Sequence, residues 1–374
     1  MRLAVYVHIP FCKRKCVYCD FYSLVSEDFE EYLSLVFEEI ELYRDVLEES
    51  EIETVYFGGG TPSLVPPSFL EKILEKLEKV SKKFSPHEIT IEVNPESVDR
   101  EKLRSYRKMG IDRISLGVQS CDDEVLKRCG RLYDEKMIKE KAELVLEEFD
   151  NVNFDFILGL PGETDETMRK NLHFLEKFTP QHVSLYFLEV DENTTLHSLL
   201  KKNLLTLPDS EEVERRHDAF VEFLKSGGFS RYEISNFAKP GKESKHNLFY
   251  WRNHDYLGFG PSAGGHFGRF RYTNVSDLPM YTKMVKEKVF PYDYQHENTE
   301  EEEALETLFM GLRTKEGVEL KRVEKLMFLV KKLQKEYACY VKVKDGKIFL
   351  SEKGMDLSKK IFEDLIEWYG EAEK

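Results

Sequence analysis

Phe11-Cys12-Lys13-Arg14-Lys15-Cys16-Val17-Tyr18-Cys19 places three cysteines within eight residues, in the spacing C-x3-C-x2-C. Three thiolates on one short loop can ligate three irons of a cubane and leave the fourth iron without a protein ligand. Structural zinc ordinarily takes four ligands, commonly from two separated pairs, and this chain offers no second pair. The flanking Lys13, Arg14 and Lys15 favour the thiolate forms and offset cluster charge. Metal-free burial suits a polar loop poorly. Cys12, Cys16 and Cys19 are therefore the candidate metal ligands. Cys121, Cys129 and Cys339 stand alone and read as small packing residues.

Working outward, residues 3–9 read as a strand that delivers the cysteine loop, and a long amphipathic helix is expected from about 27 to 49. Strands at 54–57, 88–93, 113–118, 153–158 and 182–189 then alternate with helices at 68–83, 99–109, 123–128, 134–148 and 165–178. Six strand–helix units at this spacing predict parallel βαβ architecture, as an open sheet or a barrel-like one. In either form the loops after the strands carry the chemistry. The cysteines, Gly58-Gly59-Gly60, Asn94-Pro95 and Gln119 all fall there.

Past residue 195 the rhythm changes. A helix at 210–225 precedes an aromatic, glycine-rich stretch at 229–270, so residues 196–297 form an extension. Residues 298–374 read as helices at 301–312 and 320–333, then strands at 340–343 and 347–350 around Asp345-Gly346, a strong hairpin signal. That predicts a winged-helix-like α+β domain. The acidic run 300–303 is a solvated helix start.

The net charge of −15 disfavours nucleic acid as a partner, and no apolar run is long enough for an integral membrane segment. Six cysteines without a signal peptide point to metal or redox chemistry in the cytoplasm.

C-x3-C-x2-C after a first strand, followed one unit later by Gly58-Gly59-Gly60-Thr61-Pro62, resembles the radical S-adenosylmethionine (SAM) superfamily. The resemblance implies a partial (β/α)6 barrel and a 4Fe-4S cluster whose open iron is chelated by SAM. A partner electron donor would reduce the cluster, and SAM would then be cleaved to a 5′-deoxyadenosyl radical.

Tyr6-Val-His-Ile-Pro-Phe-Cys12, Ile91-Glu-Val-Asn-Pro95, Ser115-Leu-Gly-Val-Gln119, Gly130-Arg131 and Asp155-Phe-Ile-Leu-Gly-Leu-Pro161 extend the resemblance to one branch, that of oxygen-independent coproporphyrinogen III dehydrogenase and its relatives. Carried over by position, Tyr6 flanks the cluster, Gly59, Gly60 and Thr61 hold the methionyl end, and Glu92, Gln119, Arg131 and Asp155 contact SAM. The dehydrogenase has a further cysteine two residues after the third and an N-terminal extension. Here Asp20-Phe21 follows Cys19 and the chain opens on its first strand.

Both departures resemble instead the branch's heme chaperones. Their His-Asn-x-x-Tyr-Trp segment reads His246-Asn247-Leu248-Phe249-Tyr250-Trp251 here. The resemblance implies heme as cargo, an acceptor protein as partner, and His246 as axial ligand, with His254 and His266 in reserve. On the residues alone, His246 reads as a hydrogen-bonded histidine of a packed cap. The alternative function is oxidative decarboxylation of coproporphyrinogen III. Radical methyl transfer has no motif in its favour.

Overall fold

Branched and aromatic runs such as Leu3-Ala4-Val5-Tyr6-Val7 form strands that are covered on both faces, as a parallel sheet under helices requires. The computed structural model describes residues 1–26 and 28–372. Strands β1 (Arg2–Ile9), β2 (Glu51–Gly59), β3 (Lys83–Val93), β4 (Arg113–Gln119), β5 (Val152–Leu158) and β6 (His182–Phe187) lie side by side in sequence order, all parallel. Six parallel strands in sequence order are what the partial (β/α)6 barrel implied by the resemblance requires.

The intervening helices bury one stripe each. Pro67–Val80 points Phe69, Leu70, Ile73, Leu74 and Leu77 at the sheet, and truncating one such leucine to alanine costs about 2–5 kcal/mol. Side-chain caps set several helix starts: Asp99 accepts from Lys102 N, and Asp134 from Met137 N. The long helix expected from 27 is two shorter ones, Phe29–Leu42 and Arg44–Glu48, and Glu27 lies outside the described residues.

Residues 196–297 do not stand apart from the barrel. Strands β7 (Ser230–Arg231) and β8 (Asn236–Ala238) extend the sheet beyond β6. On the other side, β9 (Tyr256–Phe259) pairs parallel with β1, and β10 (Gly264–Phe267), β11 (Phe270–Asn274) and β12 (Tyr292–Glu297) follow antiparallel. The buried Glu39 fastens this addition to the first helix. It accepts from Gly260 N at 2.7 Å, Asn274 Nδ2 at 2.6 Å and Tyr281 Oη at 2.6 Å, and burial pushes its pKa up to about 7.

The C-terminal segment has its own core, in which Leu308, Val323, Leu326, Leu329, Ile348 and Leu365 meet. Its sheet orders β13 (Val318–Glu319), β15 (Lys347–Leu350) and β14 (Val341–Lys344). Thr299 and Glu302 close a capping box at the acidic helix start. The helix expected at 320–333 begins as a 3-10 segment, Leu320–Leu326, because Leu320 N is drawn to Gly346 O of the hairpin; the α-helix runs Met327–Glu336. Among the described residues, no helix is long and apolar enough to cross a membrane.

Candidate functional site

The cysteine loop leaves β1 and is tied at both ends. Cys12 N donates to Leu24 O at 2.8 Å, Leu24 N to Pro10 O at 2.6 Å, and Val17 N to Cys129 O at 3.1 Å. Inside the loop His8 Nε2 meets Tyr22 O at 2.9 Å. These bonds hold Cys12, Cys16 and Cys19 half-buried and free of disulfides, while Lys13, Arg14 and Lys15 are exposed.

The three sulfurs fit a cluster. Among the described residues, only His266, Glu303 and Glu306 bring three possible ligand atoms within 4.8 Å of one another. One zinc, with bonds of about 2.3 Å to sulfur, would draw its thiolates closer than that. A cubane holds each thiolate at a separate corner, farther apart. Burial pushes Cys19 up to about 11 and raises Cys12, and the neighbouring sulfurs add to both shifts. Such thiolates need cationic metal to stay ionised together. His266, Glu303 and Glu306 are already engaged: Arg271 donates to Glu306 at 2.7 Å, and Asn298 donates to both glutamates.

The glycine turn closes over the first cysteine. A Cβ on Gly60 would lie 2.8 Å from Phe11 O and 3.0 Å from Cys12 Sγ; Gly59, at φ 118°, lies against the His8 ring. From Cys12 Sγ a chain of contacts runs to Thr61 Oγ1 at 3.5 Å, which accepts from Asn94 Nδ2 at 3.0 Å. Asn94 Oδ1 accepts from Arg131 Nη1 at 3.3 Å, and Arg131 Nη2 donates to Tyr18 Oη at 2.6 Å. Three segments, one after each of β2, β3 and β4, and the cysteine loop thus form one network.

Inside the barrel, Tyr6 and Tyr56 are register partners with stacked rings 6.1 Å apart. Tyr6 Oη meets His8 Nδ1 at 3.1 Å, so its link to the cysteine loop runs through His8. Glu92 accepts from Tyr56 Oη at 2.9 Å and Gly59 N at 3.1 Å, and burial, reinforced by Asp155, pushes it up to about 7. Asp155 accepts from Ser115 Oγ and Asn153 Nδ2, both at 2.8 Å, and burial raises its pKa as well. Two half-buried acids facing one interior suit a cationic, hydroxyl-bearing ligand, which is what a sulfonium nucleoside is. Gln119 is buried with φ 65°, a strained setting for a non-glycine residue at the end of β4.

His246 lies elsewhere. Its Nδ1 bonds Thr54 Oγ1 at 2.8 Å, its Nε2 bonds Tyr250 Oη at 2.6 Å, and burial lowers its pKa to about 3. The buried Glu88 accepts from His246 N at 3.0 Å, and the Tyr56 ring lies 5.1 Å from the imidazole. Its partner Thr54 stands five residues before Gly59 on β2, about 16 Å of strand from the glycine turn. Trp251 lies under the Arg313 guanidinium at 4.5 Å, which clamps the C-terminal segment. The expectation of an open axial ligand at His246 does not match this placement, because both ring nitrogens are taken. Of the reserves, His266 is buried against Glu303, and His254 is exposed beside Phe249. Cys121 and Cys129 are buried and Cys339 is exposed.

Sequence reading passed over Tyr18, His8, Tyr56 and Arg113. For His8, Tyr56 and Arg113 the signal available was polar side chains inside otherwise apolar strands; Tyr18 lies in the cysteine loop itself. Arg113 is fully buried, with Nε unpartnered, among Glu88, Tyr56 and Asp155.

Residues 6–175 match the family model described as the radical SAM superfamily. The heme chaperone HemW of Bacillus subtilis (strain 168) is 36% identical over 323 residues, covering 85% of each chain. Radical S-adenosyl methionine domain-containing protein 1, mitochondrial, of Bos taurus is 33% identical over 85% of this chain and 74% of its own. Coproporphyrinogen III oxidase (HemN) from Escherichia coli, a radical SAM enzyme, superposes with a TM-score of 0.83 over 96% of this chain and 88% of its own, at 23% identity, a likeness of fold. The chain therefore belongs to the radical SAM superfamily, whose members carry a 4Fe-4S cluster and SAM, and within it to the family of the heme chaperone HemW.

Proposed function

We propose that this chain binds heme, holds it reversibly and passes it to an acceptor protein, in the cytoplasm, while carrying one 4Fe-4S cluster with exchangeable SAM. The observation that carries this reading is 36% identity to a heme chaperone across 85% of both chains. The loop agrees with it: Phe21, at the position of the dehydrogenase's extra cysteine, is 65% exposed and adds apolar surface beside the cluster.

Cys12, Cys16 and Cys19 would hold three irons. When bound, the cluster and SAM together supply one-electron cleavage of SAM. Gly59, Gly60 and Thr61 leave room for the methionyl end. Arg131 would pair the carboxylate, Glu92 and Asp155 would meet the sulfonium and ribose, and Gln119 and Tyr6 would complete the walls. The exposed Lys13, Arg14 and Lys15 have no carboxylate partner among the described residues and suit an acidic electron donor.

The test separates the two porphyrin functions. Cluster-loaded protein given hemin should bind about one equivalent and yield it to a heme-free acceptor. Given coproporphyrinogen III, SAM and reductant, it should release no carbon dioxide. Robust SAM-dependent release would assign the dehydrogenase activity instead.

A further inference from the structure

A protein that hands heme on needs an imidazole nitrogen that is free, oriented and reachable, with apolar surface beside it for the porphyrin. Most of the ten histidines fail that requirement. His8, His182 and His246 have both ring nitrogens bonded. His266 and His217 are buried, and His173 and His296 face carboxylates. His87 and His254 are exposed, with no side-chain hydrogen bond to orient the ring.

His197 differs from all of these. It sits half-buried on the helix Thr195–Lys201, and its Nδ1 is 3.2 Å from the Glu192 carbonyl oxygen. A carbonyl can only accept, so Nδ1 carries the proton and Nε2 is left as a lone-pair donor without a protein partner among the described residues. Histidines that ligate metals are held in just this way.

The helix and the turn that follows it supply apolar side chains: Leu200 is half-buried, and Leu204 is 64% exposed. Leu200 and Lys201 follow His197 by three and four positions and share its helix face. Asn203, at φ 55°, ends the helix, and Leu204 N returns to Leu199 O at 2.9 Å, which keeps Leu204 against the helix end. Lys201 and Lys202 have no ion-pair partner among the described residues, and two ammonium groups match two propionates. The helix is also tied to the cluster loop, since the buried Leu196 donates its N–H to Val17 O at 2.7 Å.

We propose that heme docks on the face of the helix Thr195–Lys201 with His197 Nε2 as its axial ligand, Leu200 and Leu204 under the porphyrin, and Lys201 and Lys202 pairing its propionates. This rests on the heme-chaperone reading and deepens it by moving the cargo site from the buried His246 to an exposed helix beside the cluster loop.

Hemin titrated into the full-length, cluster-loaded protein tests it. His197→Gly should weaken hemin binding by about tenfold or more, and the Soret band should lose its imidazole character. Free imidazole should restore the wild-type spectrum to His197→Gly by filling the vacated position. A Lys201→Glu/Lys202→Glu double variant should weaken binding while leaving the Soret band where it is. His197→Gly with wild-type spectrum and affinity overturns the proposal and leaves the heme reading intact. A wild-type chain that binds no hemin overturns the heme reading itself.

Discussion

Replacing Glu92 by glutamine removes a charge at a barrel-facing position whose titration falls near neutral pH. Burial and the neighbouring Asp155 raise this carboxyl from 4.5 to about 7, against the opposing bonds from Tyr56 Oη and Gly59 N. The raised value corresponds to about 3 kcal/mol favouring the protonated form in the ligand-free barrel. A cationic sulfonium should bind the ionised form, so apparent SAM affinity scales with the ionised fraction. That fraction is roughly a tenth at pH 6 and nine-tenths at pH 8, and the dissociation constant should tighten about tenfold across that range. Calorimetric titration of SAM into anaerobic, iron-loaded protein reads this directly. Because the α-amino group of SAM titrates in the same range, the informative quantity is the difference between wild type and Glu92→Gln. The variant should lose the carboxylate-dependent slope and sit near the weak-binding limit at every pH. Parallel curves for the two proteins would refute the placement of Glu92 at the sulfonium.

Cys12→Ala, Cys16→Ala and Cys19→Ala should each abolish stable assembly of about four irons per chain, while Cys121→Ala, Cys129→Ala and Cys339→Ala should retain them; stoichiometric zinc with the three cysteines intact would end the cluster assignment. Gly60→Ala should cost about 1–3 kcal/mol of overpacking against Phe11 O and Cys12 Sγ, seen as a lower melting temperature of the metal-free protein and a reduced iron content. Glu39, raised to about 7 from 4.5, contributes stability that is full below about pH 4.5 and is lost as pH rises through 7, on the order of 3 kcal/mol. Glu39→Gln should flatten the fall in stability between about pH 5 and 7, and an unchanged pH profile in urea titrations would exclude this residue as its source.

The six βα units were legible because each strand is a short apolar run and each helix carries its own stripe and cap; the helix expected at 123–128 is Asp123–Arg128, and that at 165–178 is Asp165–Lys177. The strands of residues 256–297 were not. Gly258, Gly260, Gly264 and Gly265 interrupt any alternation there, and a Cβ at Gly258 would run into Gly264 O. Those strands form because β1 offers an edge, which is a long-range cause that no local pattern records. The cysteines and the glycine turn were readable from spacing. Asn94 was visible only as the residue after a strand, and its position between Thr61 and Arg131 needed three segments brought together. At His246 the residues alone suggested a hydrogen-bonded histidine of a packed cap, and both ring nitrogens do have partners, Thr54 and Tyr250.

Arg131 touches Tyr18 of the cysteine loop and Asn94 behind the glycine turn with one guanidinium, and stacks on Tyr18 and Tyr133 as well. On the role proposed for Arg131, this single rigid fork serves two binding events and would make them thermodynamic partners. Whatever factor the assembled cluster adds to SAM affinity through this side chain, SAM must return to the cluster as resistance to iron loss. On the roles proposed here the cofactor and its co-substrate would be each other's effectors: the nucleoside would raise the cluster's equilibrium resistance to a chelator by the factor by which the missing iron weakens nucleoside binding.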